Sequence, residues 1–236
     1  MRIRRKQWAR PELAVCPFFV SRPEELRGRW NEAFVRPGPF VLELGCGKGG
    51  FLAQTAFEQP EKNFLGVDLK SEVLGLAKRN AERVFAAGGR PVDNLLLTAQ
   101  NIEWLTNILD EKDQVERIII NFCNPWPKKR DYKHRLTHPR QLVQYRRFLR
   151  PGSPLSLKTD DAELYEASLG YLEECGFEIL ERTDNLPAGH PASHIMTEHE
   201  RMFREMGLSI HYLVATPRED QALPPEDSDK CKEESV

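Results

Sequence analysis

At 236 residues, with 40% hydrophobic and 30% charged content, the chain is long enough for one large domain with a sizeable core. No apolar run approaches a membrane span, and the basic start has no apolar stretch behind it, so neither a membrane anchor nor a signal peptide is expected. The net charge of -2 conceals a partition: residues 218–236 hold seven acids against three bases, whereas residues 1–10 hold five bases and no acid.

Residues 1–39 read as a basic, irregular arm that lies across the domain surface. Arg2, Arg4, Arg5, Lys6 and Arg10 surround Trp8, and prolines recur at Pro11, Pro17, Pro23, Pro37 and Pro39. Interleaved arginine and tryptophan suit either RNA contact or a plain disordered terminus. Phe40–Leu44 is the first core strand. It runs into the turn Gly45-Cys46-Gly47-Lys48-Gly49-Gly50, and a helix follows over Phe51–Phe57. This strand–turn–helix unit lets a ligand approach the backbone closely at Gly45 and Gly47, but it is neither GxGxxG nor a phosphate loop. Glu43 ends the strand. It reads either as a capping acid for the next helix or as an acceptor for an amine or hydroxyl.

Asn63–Leu69 is the second strand, and Asp68 lies 25 residues after Glu43, where an acid suits ribose hydroxyls. Ser71 is expected to cap a long helix through Ala87, closed by Gly88-Gly89. Leu95–Leu97 gives a third strand ending near Gln100-Asn101, and Ile102–Leu109 a further helix.

The chain is organised around the next stretch. Ile118-Ile119-Ile120 form a β-branched run suited to a strand covered on both faces, which stops at Asn124-Pro125-Trp126-Pro127. Lys128, Lys129, Arg130, Lys133, Arg135 and Arg140 follow, against the single acid Asp131. A rigid aromatic tip beside a cation block at the end of a central strand points to a polyanion held in register. Trp126 suits either base stacking or burial beneath the loop. His134 and His138, inside the block, suit RNA contact better than acid–base work.

Pro139–Leu149 is helical. Pro154–Thr159 is a strand ending in Asp160 and Asp161, and Glu163–Cys175 is an amphipathic helix stopped by Gly176. Phe177–Arg182 and Ser209–Thr216 are strands, with HPASHIMTEHERMF between them. The expected fold is a doubly wound, mostly parallel seven-stranded α/β sheet over residues 40–216, with an antiparallel C-terminal edge hairpin. Residues 217–236 form an acidic disordered tail. The five cysteines are widely spaced and form no CxxC pair, which suits reduced thiols in the cytoplasm. The spacing of His190, His194 and His199 matches no zinc pattern, so no metal is expected.

The segments ELGCGKGG at 43–50, GVDLKSEVL at 66–74, NFCNPWPKKRDYKHRLTHPRQL at 121–142, LKTDD at 157–161 and TEHERMF at 197–203 resemble the bacterial tRNA (guanine-N7)-methyltransferase family. The likeness runs from Trp8 to about Leu213. Its first motif is common to most S-adenosylmethionine methyltransferases; the strand-tip and late motifs are specific. The resemblance implies a methyltransferase sheet and transfer of a methyl group from S-adenosyl-L-methionine to N7 of a variable-loop guanine in tRNA. It implies cofactor roles for Glu43 at the methionine part and Asp68 at the ribose, with Gly45 and Gly47 in the turn and Asn101 near the adenine. Lys128, Asp160, Thr197, Glu198, His199 and Glu200 match substrate positions, and Lys129, Arg130, Lys133 and Arg135 are further RNA contacts.

Asn124 stands where the best-known members carry an aspartate regarded as catalytic. Guanine N7 has a lone pair and no proton, so alignment rather than base catalysis is required, and an amide can orient the guanine. Asn124 is therefore expected both beside the cofactor and in catalysis. Two rivals remain open. Asn124-Pro125-Trp126 resembles the tip of exocyclic-amino methyltransferases, and the missing aspartate would suit a catalytically silent cofactor- and tRNA-binding module. Monomer and homodimer are equally compatible with the sequence.

Overall fold

The computed structural model describes residues 6–218. Eight strands form one sheet in the order β1-β4-β3-β2-β5-β6-β8-β7. They are β1 (Phe19–Val20), β2 (Phe40–Leu44), β3 (Asn63–Asp68), β4 (Leu95–Ala99), β5 (Val115–Asn121), β6 (Leu155–Thr159), β7 (Phe177–Thr183) and β8 (His211–Pro217). Pairing is parallel from β1 through β6, and antiparallel for β6 with β8 and β8 with β7. All five residues of β2 and of β6 are buried, as a strand covered on both faces requires. Strand β7 alternates between buried and solvent-facing residues, in keeping with its place at the edge.

The helices are α1 (Ala9–Ala14), α2 (Trp30–Ala33), α3 (Gly50–Glu58), α4 (Ser71–Ala87), α5 (Pro139–Phe148), α6 (Ala162–Glu174) and α7 (Glu198–Glu205). On one sheet face Leu52 and Ala56 of α3, Leu74, Ala77 and Phe85 of α4 and Leu13 of α1 pack over Val41, Phe64, Leu97 and Ile119. On the other, Leu142, Tyr145 and Phe148 of α5 and Tyr165 and Leu172 of α6 join Trp30, Phe40, Leu42 and Ile118. Among the described residues no helix is long and apolar enough to cross a membrane.

Four expectations are corrected. The sheet has eight strands, because Phe19–Val20 adds an edge strand beside Leu97-Thr98. Residues 6–39 are not irregular; they contain α1, β1 and α2. Within them the Trp8 ring packs on α4, with the Arg79 guanidinium 3.5 Å from its centre. Ile102–Leu109 is no α-helix but a 3-10 segment, Ile102–Asn107, broken at Trp104. Side chains take its carbonyls: Gln100 Nε2 donates to Trp104 O at 2.9 Å and Trp30 Nε1 to Ile108 O at 2.6 Å. Ser71 opens α4 without capping it; Lys70 holds the cap position and no side chain caps the helix. Arg2, Arg4, Arg5 and the acidic stretch from residue 219 onward lie outside the described residues.

Candidate functional site

The carboxyl ends of β2, β3, β4 and β5 lie side by side, and the turns leaving them build the site. After β2 the chain reverses over Val67, whose carbonyl accepts from Gly45 N at 2.9 Å and Cys46 N at 3.1 Å. Gly45 (φ 73°) and Gly47 (φ 54°) adopt left-handed backbone that a side chain would disfavour. Gly47 N then donates to Asp68 Oδ2 at 3.1 Å, so the second-strand acid braces the glycine turn. Asp68 Oδ1 accepts from Lys70 N at 3.0 Å. Burial raises the Asp68 pKa despite these bonds from Lys70 and Gly47.

Glu43 is 3% exposed, inside β2. Its Oε1 accepts from Asn121 Nδ2 of β5 at 3.1 Å, while its Oε2 is buried without a partner. Burial pushes its pKa up to about 8; Asp68 adds to the rise, and the Asn121 bond and the Lys158 charge oppose it. An unpaired buried carboxylate oxygen is costly, and in a cleft it marks a place for a donor. Asn101 caps the 3-10 segment through Oδ1, which accepts from Glu103 N at 3.1 Å, so its amide N–H2 is the group left available.

Beyond β5 the chain enters a strained tip. Phe122 (φ 50°) and Trp126 (φ 48°) are the non-glycine residues of positive φ among those described. Asn124 is exposed and its Oδ1 accepts from Trp126 N at 3.2 Å, closing the tip. Trp126 is half-buried, with its ring centre 5.1 Å from that of His134. His134 Nδ1 in turn meets Glu103 Oε1 at 2.6 Å, tying the tip to the segment after Asn101.

Lys128, Lys129, Arg130 and Lys133 face solvent. Arg135, expected as a further RNA contact, does not. It is 1% exposed, donates through Nε to Pro125 O at 2.8 Å and through Nη2 to Glu163 at 2.9 Å, and lies 3.6 Å from the Tyr132 ring centre. It holds the tip from beneath. His138 is half-buried: it caps α5, and burial with the nearby Arg140, Arg135 and His134 charges lowers its pKa to about 4, leaving it neutral.

The late motif divides in two. Thr197 caps α7, its Oγ1 accepting from Glu200 N at 2.9 Å. Glu200 is fully buried; its Oε2 accepts from Lys158 Nζ at 2.8 Å and its Oε1 from Ser193 Oγ at 2.7 Å and Arg204 Nη2 at 2.9 Å. In this arrangement both side chains are engaged within the protein and fix the start of α7 against β6. Their T-x-x-E spacing was the available signal. Glu198 and His199 are exposed. Glu198 reaches Lys48 of the glycine turn at 2.6 Å, and the His199 ring stacks 6.2 Å from that of Phe122. Asp160 is exposed at the end of β6, whereas Asp161 caps α6. His190 and His194 turn elsewhere, to Glu181 and Glu58, each at 2.9 Å. Asn121, Lys158 and Lys48 are the site-building residues that motif reading passed over.

A family described as "Putative methyltransferase" matches residues 37–213. The chain is similar in fold to the 16S rRNA methyltransferase KamB, with a TM-score of 0.58 and 16% identity over 82% of this chain and 91% of that one. It is 51% identical to a tRNA (guanine-N(7)-)-methyltransferase of Clostridium beijerinckii, covering 91% of this chain and 98% of the relative. Proteins of the same name from Clostridium perfringens and Acetivibrio thermocellus are 50% and 49% identical, again over 91% of this chain and 99% of each relative. With half the residues shared along nearly the full length of such relatives, the chain belongs to the tRNA (guanine-N7)-methyltransferase family.

Proposed function

We propose that this protein transfers a methyl group from S-adenosylmethionine to N7 of the variable-loop guanine of tRNA. One observation carries the reading: two acids suited to a cofactor, Glu43 and Asp68, lie at the ends of β2 and β3 beside β5, which leads to an exposed amide tip, Asn124, flanked by the solvent-facing Lys128, Lys129, Arg130 and Lys133. The names of the curated relatives support it.

The residues fit the cofactor. The orphan Glu43 Oε2 suits an ammonium group, and Asp68 retains lone pairs for ribose hydroxyls. Asn101 offers its amide N–H2, and Leu69, 62% exposed, offers an apolar surface for an adenine. When bound, S-adenosylmethionine supplies an electrophilic methyl group on a sulfonium. The protein's own task is alignment. Asn124 and the Arg135-braced tip set the guanine edge, N7 attacks with its lone pair, and no side chain removes a proton beforehand. Glu198 and His199 of α7 reach Lys48 of the glycine turn and the Phe122 ring that follows β5.

The exocyclic-amino alternative needs the Asn124 carbonyl oxygen to accept from a target amine. That oxygen accepts from Trp126 N and keeps a second lone pair, so the identity of the product separates the two readings. Incubating unmodified tRNA with protein and cofactor, then digesting it to nucleosides for mass spectrometry, is expected to yield N7-methylguanosine. A methylated amine, or no product, would overturn the reading.

Two further outcomes are expected. Asp68→Ala removes the ribose acceptor and the brace on Gly47, and cofactor binding weakens by roughly 1.5–3 kcal/mol. Calorimetric titration of the folded variant checks this, and unchanged affinity removes the assignment. Changing Lys128, Lys129 and Arg130 together to alanine weakens tRNA binding and leaves cofactor affinity unchanged. It also flattens the slope of log affinity against log salt by up to about three, near one for each phosphate that a cation no longer neutralises. An unaltered slope would mean these cations do not touch the backbone.

A further inference from the structure

We propose that Asn121 is a positioning residue for the cofactor: its Nδ2 holds Glu43 Oε1 and so turns Oε2 toward the cofactor's amino group. The inference rests on the cofactor role of Glu43 proposed above. In the sheet Glu43 stands opposite Ile119, so Asn121, two residues on, projects from the same face. Asn121 closes β5 and pairs in register with Lys158 of β6, which anchors its backbone in the sheet. The side chain spans from β5 to β2 and bonds one carboxylate oxygen at 3.1 Å; the other is buried with no partner.

A merely structural asparagine would satisfy a buried acid. This one half-satisfies it, pinning the carboxylate while leaving one oxygen dependent on an incoming donor. An ammonium group completes the set, because it donates where Oε2 can accept. A hydroxyl could fill the same gap, but it would not favour the ionised acid as strongly.

The groups that bear on Glu43 are Asp68 of β3, which disfavours its charge, Lys158 of β6, which favours it, and the Cys46 thiol of the following turn, held neutral by burial. Free Glu43 is thus largely protonated near neutral pH, and binding an ammonium group there expels that proton. Cofactor affinity is expected to rise with pH toward the Glu43 pKa of about 8 and to fall again where the ligand's own ammonium group loses its proton. Loss of the Asn121 donor moves that rise to higher pH.

The probe is S-adenosylhomocysteine, which keeps the amino group and lacks the transferable methyl. Its affinity is measured by calorimetry across pH in the wild-type protein and in Asn121→Ala, Asn121→Ser and Glu43→Gln. Asn121→Ala is expected to bind about tenfold or more weakly at neutral pH, the scale of one bond to a charged group. Its pH curve shifts upward. Asn121→Ser, which retains a short donor, recovers part of the affinity and part of the curve. Glu43→Gln abolishes the acid-side rise. If Glu43→Gln binds like the wild type, the cofactor role of Glu43 falls and this proposal with it. If Glu43→Gln weakens binding while Asn121→Ala and Asn121→Ser keep both affinity and pH curve, only the role of Asn121 is overturned. A lowered melting temperature with an unmoved pH curve has the same meaning. Should Asn121→Ala not fold, the pH curve of Asn121→Ser decides.

Discussion

Lys158→Ala is expected to cost the fold roughly 3–5 kcal/mol, the scale for stranding one member of a buried ion pair. Lys158 sits in β6, a strand buried along its length, and is itself 4% exposed. Its Nζ lies 2.8 Å from Glu200 Oε2 and also donates to Ala192 O. Without the ammonium group, the fully buried Glu200 keeps only Ser193, Arg204 and the cap at Thr197. The paired substitution Lys158→Met with Glu200→Leu removes both buried charges and is expected to cost less than Lys158→Ala alone, because the cation that loses its partner, Arg204, is partly exposed and keeps Ser193. Equilibrium unfolding in urea measures both; a loss below about 1 kcal/mol for Lys158→Ala would place the pair among weak surface bridges.

The pair also carries a pH signature. Burial alone would raise the Glu200 pKa, but Lys158, Ser193 and Arg204 outweigh it and hold the carboxyl below 4.5. A depressed carboxyl contributes its stability in full above the unfolded pKa and loses it as pH falls through the folded value. Wild-type stability therefore drops in acid by an amount that Glu200→Gln no longer shows. Because Glu200 joins β6 to α7, the same variants loosen Glu198 and His199, and tRNA binding weakens with them.

How much of this is legible in the sequence depends on whether the cause is local. Glu43 and Asp68 can be read because each lies at the carboxyl end of a buried strand, just before a turn, a pattern contained within a few residues. The tip at Asn124 is legible for the same reason: prolines end a strand wherever they stand. The orientation of cations within one charged run is not. Arg135 turns inward because Pro125, Tyr132 and Glu163 surround it, and Glu163 arrives 28 residues later. The 3-10 segment at Ile102–Asn107 likewise depends on Trp30, whose indole reaches Ile108 from 78 residues away. Lys158 in an apolar strand announces the need for an acid, but only the folded chain identifies Glu200. The Thr197-x-x-Glu200 spacing is readable as a helix cap as well as a substrate motif, and the cap is formed by the Thr197 hydroxyl.

Asn124→Ala is expected to slow single-turnover methyl transfer by about 10²-fold, the scale for losing alignment of reacting groups, with a smaller loss of tRNA affinity. The alanine removes two things at once. Oδ1 no longer accepts from Trp126 N, so the left-handed backbone at Trp126 loses its local support. The amide N–H2, the group left outward once Oδ1 is engaged, no longer reaches guanine O6, which lies beside N7 on the same base edge. Asn124→Asp separates these effects. A carboxylate still accepts from Trp126 N and keeps the tip, and its charge favours the cation that develops on the guanine. Transfer is therefore expected to persist or quicken. The aspartate variant should gain an ionisation in the carboxylate range that the wild-type rate lacks at residue 124, since an amide does not titrate there. The rates are read from labelled cofactor and unmodified tRNA across pH. If Asn124→Asp abolishes transfer while fold, cofactor affinity and tRNA affinity survive, then the indispensable element is the N–H2 donor to O6, and the tip acts by recognising the guanine edge rather than by its shape alone.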